Sequence, residues 1–331
     1  MLTGLLSPDN PAEHRRLQMS GGAAVNKALD VLRDFRKNRI LLLMLAPAVL
    51  YYFVFMYLPM AGVVIAFKRF DYAAGIFGSP WVGFENFKYF FISGQAFKVT
   101  RNTVLYNVVF ILVNTTLQLS VAIFLTELKN KYFKKTAQTL MLMPYFISWV
   151  VVGAFVYNLF NYEFGAFNTL LKAFGAEPVD VLGTVGAWKY ILVFFSAWNG
   201  VGYGSIVYLA AIANIDKELY EAAEIDGANI FHQIFKITLP SVKPTVIILT
   251  LLSIGTIFRG NFSMFYQIVG NNGLLFDSTD VIDTFVFRSL MQMQEFGMAS
   301  AAGLYQSVLC FAILMLTNYI IKRIESDYAL F

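Results

Sequence analysis

The sequence predicts an all-α integral membrane protein with six transmembrane helices. Of its 331 residues, 58% are hydrophobic and only 14% are charged, whereas a typical soluble domain is roughly 25% charged. The charged residues lie in clusters between long uncharged stretches, which is the pattern that membrane topology requires. Such a chain has more apolar surface than one water-soluble core could bury, so the bilayer is its natural solvent.

The six spans follow from the positions of the charges. A transmembrane helix needs about 20 apolar residues with few or no charges. Five stretches meet this requirement, and a sixth does so with one internal charge, Arg259. The predicted spans, within a transmembrane domain at residues 40–325, are residues 40–67, 103–126, 138–160, 190–213, 243–268 and 298–321.

The N-terminal segment, residues 1–39, is predicted to be cytoplasmic. It is mostly polar, and the apolar run that begins at Ile40 is too long for the core of a secretory signal. Its basic part, residues 27–39, is amphipathic and is expected to lie on the inner membrane surface. An even number of spans places both termini on one side.

The distribution of Lys and Arg identifies that side as the cytoplasm. With the N-terminus inside, the inner segments carry 16 Lys and Arg residues and the outer loops carry 7, as the positive-inside rule predicts. The net charge is only +4, so the composition gives no reason to expect a nucleic-acid partner.

Catalytic, metal and nucleotide sites are not expected in this chain. No glycine is followed by lysine, which excludes a phosphate-binding loop of the Gly-Lys-Ser/Thr type. The histidines are His14 and His232 and the cysteine is Cys310, so neither an HExxH nor a CxxC motif exists. We therefore expect no metal and no cofactor bound by this chain itself.

The inner loop between the fourth and fifth spans, residues 215–240, is predicted to form two short helices. Asp216 is placed to cap the first helix, and Gly227 is placed to end it in a left-handed conformation. Asn229 is placed to cap the second helix, and Pro240 is expected to mark the turn into the fifth span. Such a helix–turn–helix knuckle exposes an acidic, partly apolar surface, which calls for a protein partner.

The same loop carries a specific pattern: Glu-Ala-Ala, three residues, Gly, nine residues, Ile-x-Leu-Pro. This chain resembles, on that pattern, the permease subunits of binding-protein-dependent ABC importers. The resemblance implies that the knuckle is a coupling helix that docks on an ATPase subunit, with Glu221 facing basic residues and Gly227 setting its angle. The residues it assigns to ATPase coupling are Glu221, Ala222, Ala223, Asp226, Gly227 and Pro240.

The resemblance extends over roughly residues 40–325 and also suggests the cargo. The stretches at residues 80–87, 143–151, 208–216 and 280–288 are similar to those of polysaccharide-importing permeases. The implied cargo is a sugar oligomer. The implied partners are a second permease in a heterodimer, two ATPase subunits that bind ATP and Mg²⁺, and an extracellular solute-binding protein. The implied location is the bacterial inner (cytoplasmic) membrane, surrounded by lipid.

Polar and aromatic residues inside the spans are candidates for the translocation path. Charges within a span usually face a cavity or a partner, and aromatic rings with amides suit sugars. Arg259 would favour an acidic saccharide, but it could also snorkel outward or pair with the sister permease. The candidates are Arg259, Asn261, Trp198, Asn199, Tyr157 and Tyr203.

Three alternatives remain open from the residues alone. An importer of this type could carry an amino acid or a peptide instead of a sugar. A stand-alone secondary transporter would need acidic coupling-ion sites in the membrane, and the interiors of the predicted spans contain no Asp or Glu. An integral membrane enzyme would need a catalytic set, and none is evident.

Overall fold

The computed structural model describes residues 37–324. Its elements in that range are helices, and the one extended pairing there is an isolated bridge between Lys68 and Trp81. The prediction of an all-α membrane protein is confirmed. Apart from its last three residues, the amphipathic segment predicted for residues 1–39 lies outside the described residues.

The α-helices are numbered in chain order. They are α1 (Arg39–Tyr52), α2 (Gly75–Gly78), α3 (Glu85–Ile92), α4 (Gln95–Glu127), α5 (Lys131–Leu142), α6 (Trp149–Phe160), α7 (Ala166–Ala173), α8 (Trp188–Ala213), α9 (Lys217–Ile225), α10 (Ile230–Gln233), α11 (Leu239–Gly255), α12 (Phe262–Val269), α13 (Phe276–Thr279), α14 (Ile282–Met291) and α15 (Phe296–Ile324).

Contacts divide the chain after Gly62 into two units. The described part of the first unit contains α1 and a π-helical turn, Phe53–Tyr57. The turn precedes Pro59, which has no N–H to donate to the regular helical ladder. All the later numbered helices belong to the second unit.

Five described helical segments are long and apolar enough to cross a membrane, or up to six if one bent pair counts as a span. The chain is therefore a multi-pass membrane protein. The five segments are Arg39–Phe67, Gln95–Glu127, Val185–Ala213, Ile230–Gly255 and Phe296–Arg323. The bent pair is Lys131–Phe146 with Trp149–Phe160.

The third span differs from the continuous helix predicted for residues 138–160. Its two halves meet at an angle of 95°. Pro144 lies in a 3₁₀ turn, Met143–Phe146, at the end of the first half, and Ile147 and Ser148 are extended. Proline disfavours the continuing helical ladder, so the chain breaks here and restarts at Trp149.

The fifth span also differs from its prediction, residues 243–268. The helix begins earlier, at Ile230, and ends at Gly255. A separate helix, α12, begins at Phe262, and its N-cap Asn261 accepts a hydrogen bond from the N–H of Met264. Arg259 therefore lies in an irregular break between two helices and not inside a membrane helix.

Helices α4 and α8 run parallel. Asn114 of α4 hydrogen-bonds Ser196 of α8, and four residues later Gln118 hydrogen-bonds the carbonyl of Gly200. Because both partners advance in the same direction, the chain must return across the molecule between the two helices. The bent pair α5–α6 makes that return, which supports a six-span arrangement.

A buried ion pair anchors the segment before α14. The Arg288 guanidinium makes two hydrogen bonds to the Asp280 carboxylate, of 3.0 and 2.5 Å, and lies 3.9 Å from the centre of the Phe276 ring. Asn102 of α4 donates to the backbone carbonyls of Asp277 and Asp280. Because Asp280 is only 3% exposed, neither charge of the pair has water as a substitute partner.

We predict that Asp280→Asn destabilises the protein much more than Asp277→Asn. The first change leaves Arg288 buried without its counter-charge, which costs about 3–5 kcal/mol. Asp277 is paired with Lys98 at the surface, where ion pairs contribute little. Thermal unfolding of both variants in detergent checks this, and equal midpoints would contradict it.

Candidate functional site

The inner loop folds as a helix–turn–helix knuckle with the predicted caps. The Asp216 side chain accepts a hydrogen bond from the N–H of Glu218 at the start of α9. The Asn229 side chain accepts one from the N–H of His232 at the start of α10. Both side chains satisfy N–H groups that have no partner within their helix. These local predictions from the sequence are confirmed.

The end of α9 has the geometry of a Schellman motif. The N–H of Ala228 donates to the carbonyl of Ala223 at 2.8 Å, and the N–H of Gly227 donates to the carbonyl of Glu224 at 3.0 Å. Gly227 has φ +76°, a conformation that strains any residue with a Cβ. The spacing from Ala223 to Gly227 is therefore the spacing that this helix end requires.

Pro240 does not mark a turn, which corrects the prediction made for it. It lies in the first turn of α11, and the helix is continuous from Ile230 to Gly255. A π-helical turn, Ile234–Thr238, precedes it. The wider turn accommodates a residue that lacks the N–H of a regular ladder, so the second half of the knuckle and the fifth span form one helix.

The knuckle presents a mixed acidic and apolar surface. Glu221, Asp226 and Gly227 are exposed. Ile225 at the tip is 87% exposed and Phe231 on α10 is 68% exposed. Exposed apolar residues rimmed by polar ones are typical of a protein-interaction surface.

A second candidate site is a cavity of about 590 Å³. Its walls come mainly from α4, α8 and α11, with Asn261 from the start of α12. The polar side chains in its wall are amides and hydroxyls: Asn107, Asn114, Thr115, Gln118, Ser196, Asn199, Tyr203, Tyr208, Ser253, Thr256 and Asn261. None of the described residues that line it is charged.

Several of these amides have a structural partner and spare capacity. Asn199 donates to the carbonyl of Pro144 at 2.8 Å, at the break of the third span. Asn114 donates to Ser196, and its Oδ1 atom is buried with no hydrogen-bond partner. Tyr203 stacks on Tyr145 with ring centres 4.4 Å apart. The wall therefore offers hydrogen-bonding groups and an aromatic face but no acid or base set.

Three of the six residues predicted for the translocation path line this cavity: Asn199, Tyr203 and Asn261. Trp198 faces a different, apolar groove of about 460 Å³ between α4, α5 and α8. Tyr157 lines a third cavity, of about 330 Å³, beside Trp188.

Arg259 does not line the large cavity. Burial raises the pKa of the Asp283 carboxyl, and the nearby Arg259 charge is a small opposing effect. The main-chain carbonyl of Arg259 accepts a hydrogen bond from Asn107. The interpretation of Arg259 as a binding group for an acidic saccharide therefore has no support in the cavity wall.

The α4 side of the cavity was not predicted from the sequence. Asn107, Asn114 and Gln118 are spaced seven and four residues apart, so they lie on one face of the helix. Their helical spacing within an apolar span is the signal that would have identified these residues as part of the cavity wall.

Among residues 37–324, no cluster of three or more His, Cys, Asp or Glu side chains could hold a metal ion.

The glycines of α8 allow close approach of its neighbours. A Cβ on Gly202 would lie 1.8 Å from the Met141 carbonyl oxygen, and a Cβ on Gly204 would meet the Gln118 side chain. The string Gly200, Gly202 and Gly204 is thus a packing feature, as small residues in membrane helices generally are.

Comparison with known proteins places these features in a family context. Residues 118–326 match the family described as binding-protein-dependent transport system inner membrane component. Two Bacillus subtilis (strain 168) proteins are similar over most of their length. Protein LplB is 33% identical over 91% of this chain and 94% of its own. The polygalacturonan/rhamnogalacturonan transport system permease protein YteP is 31% identical over 88% and 90%.

A solved structure is similar in fold as well as in sequence. It is a chain of a bacterial ABC transporter involved in the import of the acidic polysaccharide alginate. The TM-score is 0.81 at 30% identity, over 89% of this chain and 99% of that one. The same alginate transporter in complex with its alginate pentasaccharide-bound periplasmic protein gives a TM-score of 0.79, at 30% identity over 88% of this chain and 97% of that one.

We predict that Gly202→Ala destabilises the protein by about 1–3 kcal/mol, because the added methyl group meets a backbone carbonyl that cannot easily move. Gly303→Ala is the matched control on α15. A Cβ there has no neighbour within 4 Å, so alanine should be neutral or slightly stabilising in a helix. The measurement is the thermal unfolding midpoint of each variant in detergent. A midpoint of Gly202→Ala at or above that of Gly303→Ala would refute the packing argument.

Proposed function

Since the chain belongs to the family of binding-protein-dependent transport system inner membrane components, a family of ABC importer permeases and not of enzymes, we propose that it carries a saccharide oligomer across the bacterial inner membrane. The knuckle is the part that couples transport to ATP hydrolysis. The cavity between α4, α8 and α11 is the part of the path that this chain contributes.

The coupling assignment is supported by the conformation of the knuckle, which is the observation that carries the proposal. Its acidic and apolar residues are exposed at the tip of a turn fixed by Gly227. Glu221 would pair with basic residues of an ATPase subunit, and Ile225 would fill an apolar depression there. Ala222, Ala223, Asp226 and Pro240 would shape the same surface.

The cargo assignment is supported by the chemistry of the cavity wall. Amides and hydroxyls both donate and accept hydrogen bonds, which suits the hydroxyl groups of a sugar. Tyr203 and Trp149 add aromatic faces, on which sugar rings can pack. The similar permeases that are named for polygalacturonan/rhamnogalacturonan and for galactooligosaccharides agree with this class of cargo.

An amino acid or peptide cargo fits the cavity less well. A free amino acid carries an ammonium and a carboxylate, and both are costly to bury without a charged partner. The described lining residues include no charged side chain. A neutral sugar ring does not impose that requirement, and a uronate imposes it only for a carboxylate and not for an ammonium group, so the uncharged wall favours a saccharide over a free amino acid.

The proposed assembly contains this chain, a second, similar permease as its heterodimer partner, two ATPase subunits that hold ATP and Mg²⁺, and an extracellular binding protein. The similar alginate transporter is described in complex with a periplasmic protein. The excess of Lys and Arg in the inner segments supports placing both termini in the cytoplasm. Nucleotide state would then bias two arrangements of the spans around the cavity.

We predict that Glu221→Lys abolishes co-purification of an ATPase subunit, because it reverses the charge at the proposed docking surface. Glu177→Lys is the control, since Glu177 is also exposed and lies in an outer loop. The measurement is affinity purification from native membranes in mild detergent, followed by an ATPase assay. If wild type is isolated intact but without any ATPase, the coupling role is wrong and an autonomous transporter is the better account.

We predict that Tyr203→Ala weakens saccharide uptake and that Tyr157→Ala does not. Both side chains are 52% exposed, but only Tyr203 lines the large cavity. Loss of a stacking face of about 0.5–1.5 kcal/mol corresponds to roughly a two- to tenfold higher apparent KM. The assay is uptake of pentasaccharides by proteoliposomes that contain the whole importer. Equal KM values for the two variants would exclude this cavity as the path.

A further inference from the structure

The break between α11 and α12, residues 256–261, delivers two side chains to the cavity. Thr256 and Asn261 stand at its two ends, and both line the cavity wall. The residues between them form turns and irregular backbone. The N–H of Arg259 bonds within the segment, to the carbonyl of Thr256, but the carbonyls of residues 257–259 need partners from outside it. In a membrane protein such groups are costly when unsatisfied.

Side-chain amides from two other helices supply partners for the carbonyls of this segment. Asn107 of α4 donates to the carbonyls of Ile257 at 2.8 Å and Arg259 at 3.0 Å. Gln306 of α15 donates to the carbonyl of Phe258 at 2.8 Å. Three successive carbonyls are therefore held by side chains of α4 and α15.

Asp283 of α14 also binds this segment. Its Oδ2 atom accepts a hydrogen bond from the N–H of Gly260 at 2.5 Å and a second from Nε2 of Gln306 at 3.0 Å. The carboxylate thus holds the backbone directly and also orients the amide that binds Phe258. Hydrogen bonds to an ionised acceptor are stronger than neutral ones.

Gly260 is required for this contact. A Cβ there would lie 2.9 Å from the Asp283 carboxylate oxygen and 2.8 Å from a methyl carbon of Val281. The carboxylate can reach the N–H only because position 260 has no side chain.

From these contacts we propose that Asp283 is a positioning residue for the cargo path. It holds the break at residues 256–261 in the one conformation that places Thr256 and Asn261 in the cavity wall. The role in transport rests on the proposed function, whereas the mechanical role concerns this chain alone.

A different role for Asp283 would be that of a counter-ion to Arg259. The geometry favours the positioning role, because the ion pairs of the described residues do not include Arg259 with Asp283. The close partners of the carboxylate are an N–H and an amide.

Hydrogen exchange measured by mass spectrometry on the assembled importer tests the mechanical role without any cargo. Asp283→Asn keeps the size of the side chain and one oxygen that can accept both hydrogen bonds at the Oδ2 position, but it removes the negative charge that strengthens them. We expect the backbone amide of Gly260 to exchange about tenfold faster. Gly260→Ala should speed the exchange of residues 256–261 as well, by displacing the same carboxylate.

Asp277→Asn is the matched control for this experiment, because Asp277 is exposed and bound to Lys98. It should leave the exchange at residues 256–261 unchanged. Unchanged exchange in Asp283→Asn would overturn the proposal, as would equal acceleration across all helices, which indicates general destabilisation. Equal acceleration at residues 256–261 in Arg259→Gln and in Asp283→Asn would overturn the proposal in favour of the counter-ion role, whereas the positioning role requires unchanged exchange in Arg259→Gln.

The transport role is tested by uptake into proteoliposomes with maltopentaose, galactopentaose and a pentameric oligogalacturonate as probes. For a saccharide that wild type carries, we expect Asp283→Asn to raise the apparent KM at least about threefold while the amount of assembled complex stays the same. A lower rate at unchanged KM would overturn the positioning role in transport. If wild type carries none of the three, the proposed cargo class fails, and the exchange experiment still decides the mechanical role.

Discussion

The need to satisfy backbone groups inside an apolar span is the constraint on which the rest of this structure depends. Two spans are broken, the third at Ile147 and the fifth after Gly255, and each break leaves carbonyls outside the regular helical ladder, which is costly in a bilayer unless another group bonds them. Asn199 donates a hydrogen bond to a carbonyl at the first break, and Asn107 and Gln306 donate to carbonyls at the second. Because two of these amides, Asn107 and Asn199, also line the cavity, the residues that stabilise the breaks and those that shape the cavity are partly the same.

The parts of the fold that sequence could predict are those with a local cause. The knuckle is specified by two side-chain caps, Asp216 and Asn229, and by a left-handed glycine, all within fourteen residues of chain. Each acts on backbone groups of its own neighbourhood, so no tertiary contact is needed to foresee them. The all-α architecture is similarly fixed by span-length apolar stretches.

The breaks in the third and fifth spans could not be predicted by counting charges. An uncharged window of sufficient length is equally compatible with one helix and with two, and Pro144 at the first break gives only a local warning. A break is tolerated only where the side-chain amide of another helix can donate to the carbonyls that the break frees. Whether such an amide is in reach depends on the packing of the helices. Counting charges placed Arg259 within a span for the same reason, although the polar stretch around Gly260 is compatible with a broken helix. The α4 side of the cavity is formed by amides, which are uncharged and therefore do not interrupt an apolar stretch in a count of charges.

The continuous helix from Ile230 to Gly255 has a mechanical consequence. At 1.5 Å per residue, its 26 residues form a rod about 39 Å long. One end of the rod is the second half of the knuckle, and the other ends at the clamped residues 256–261. Because the helix is continuous, a tilt imposed at the tip of the knuckle is transmitted along it as a lateral displacement of Thr256. The length of this lever, and not the chemistry of either end, sets how far a small rotation at the tip moves the wall of the cavity.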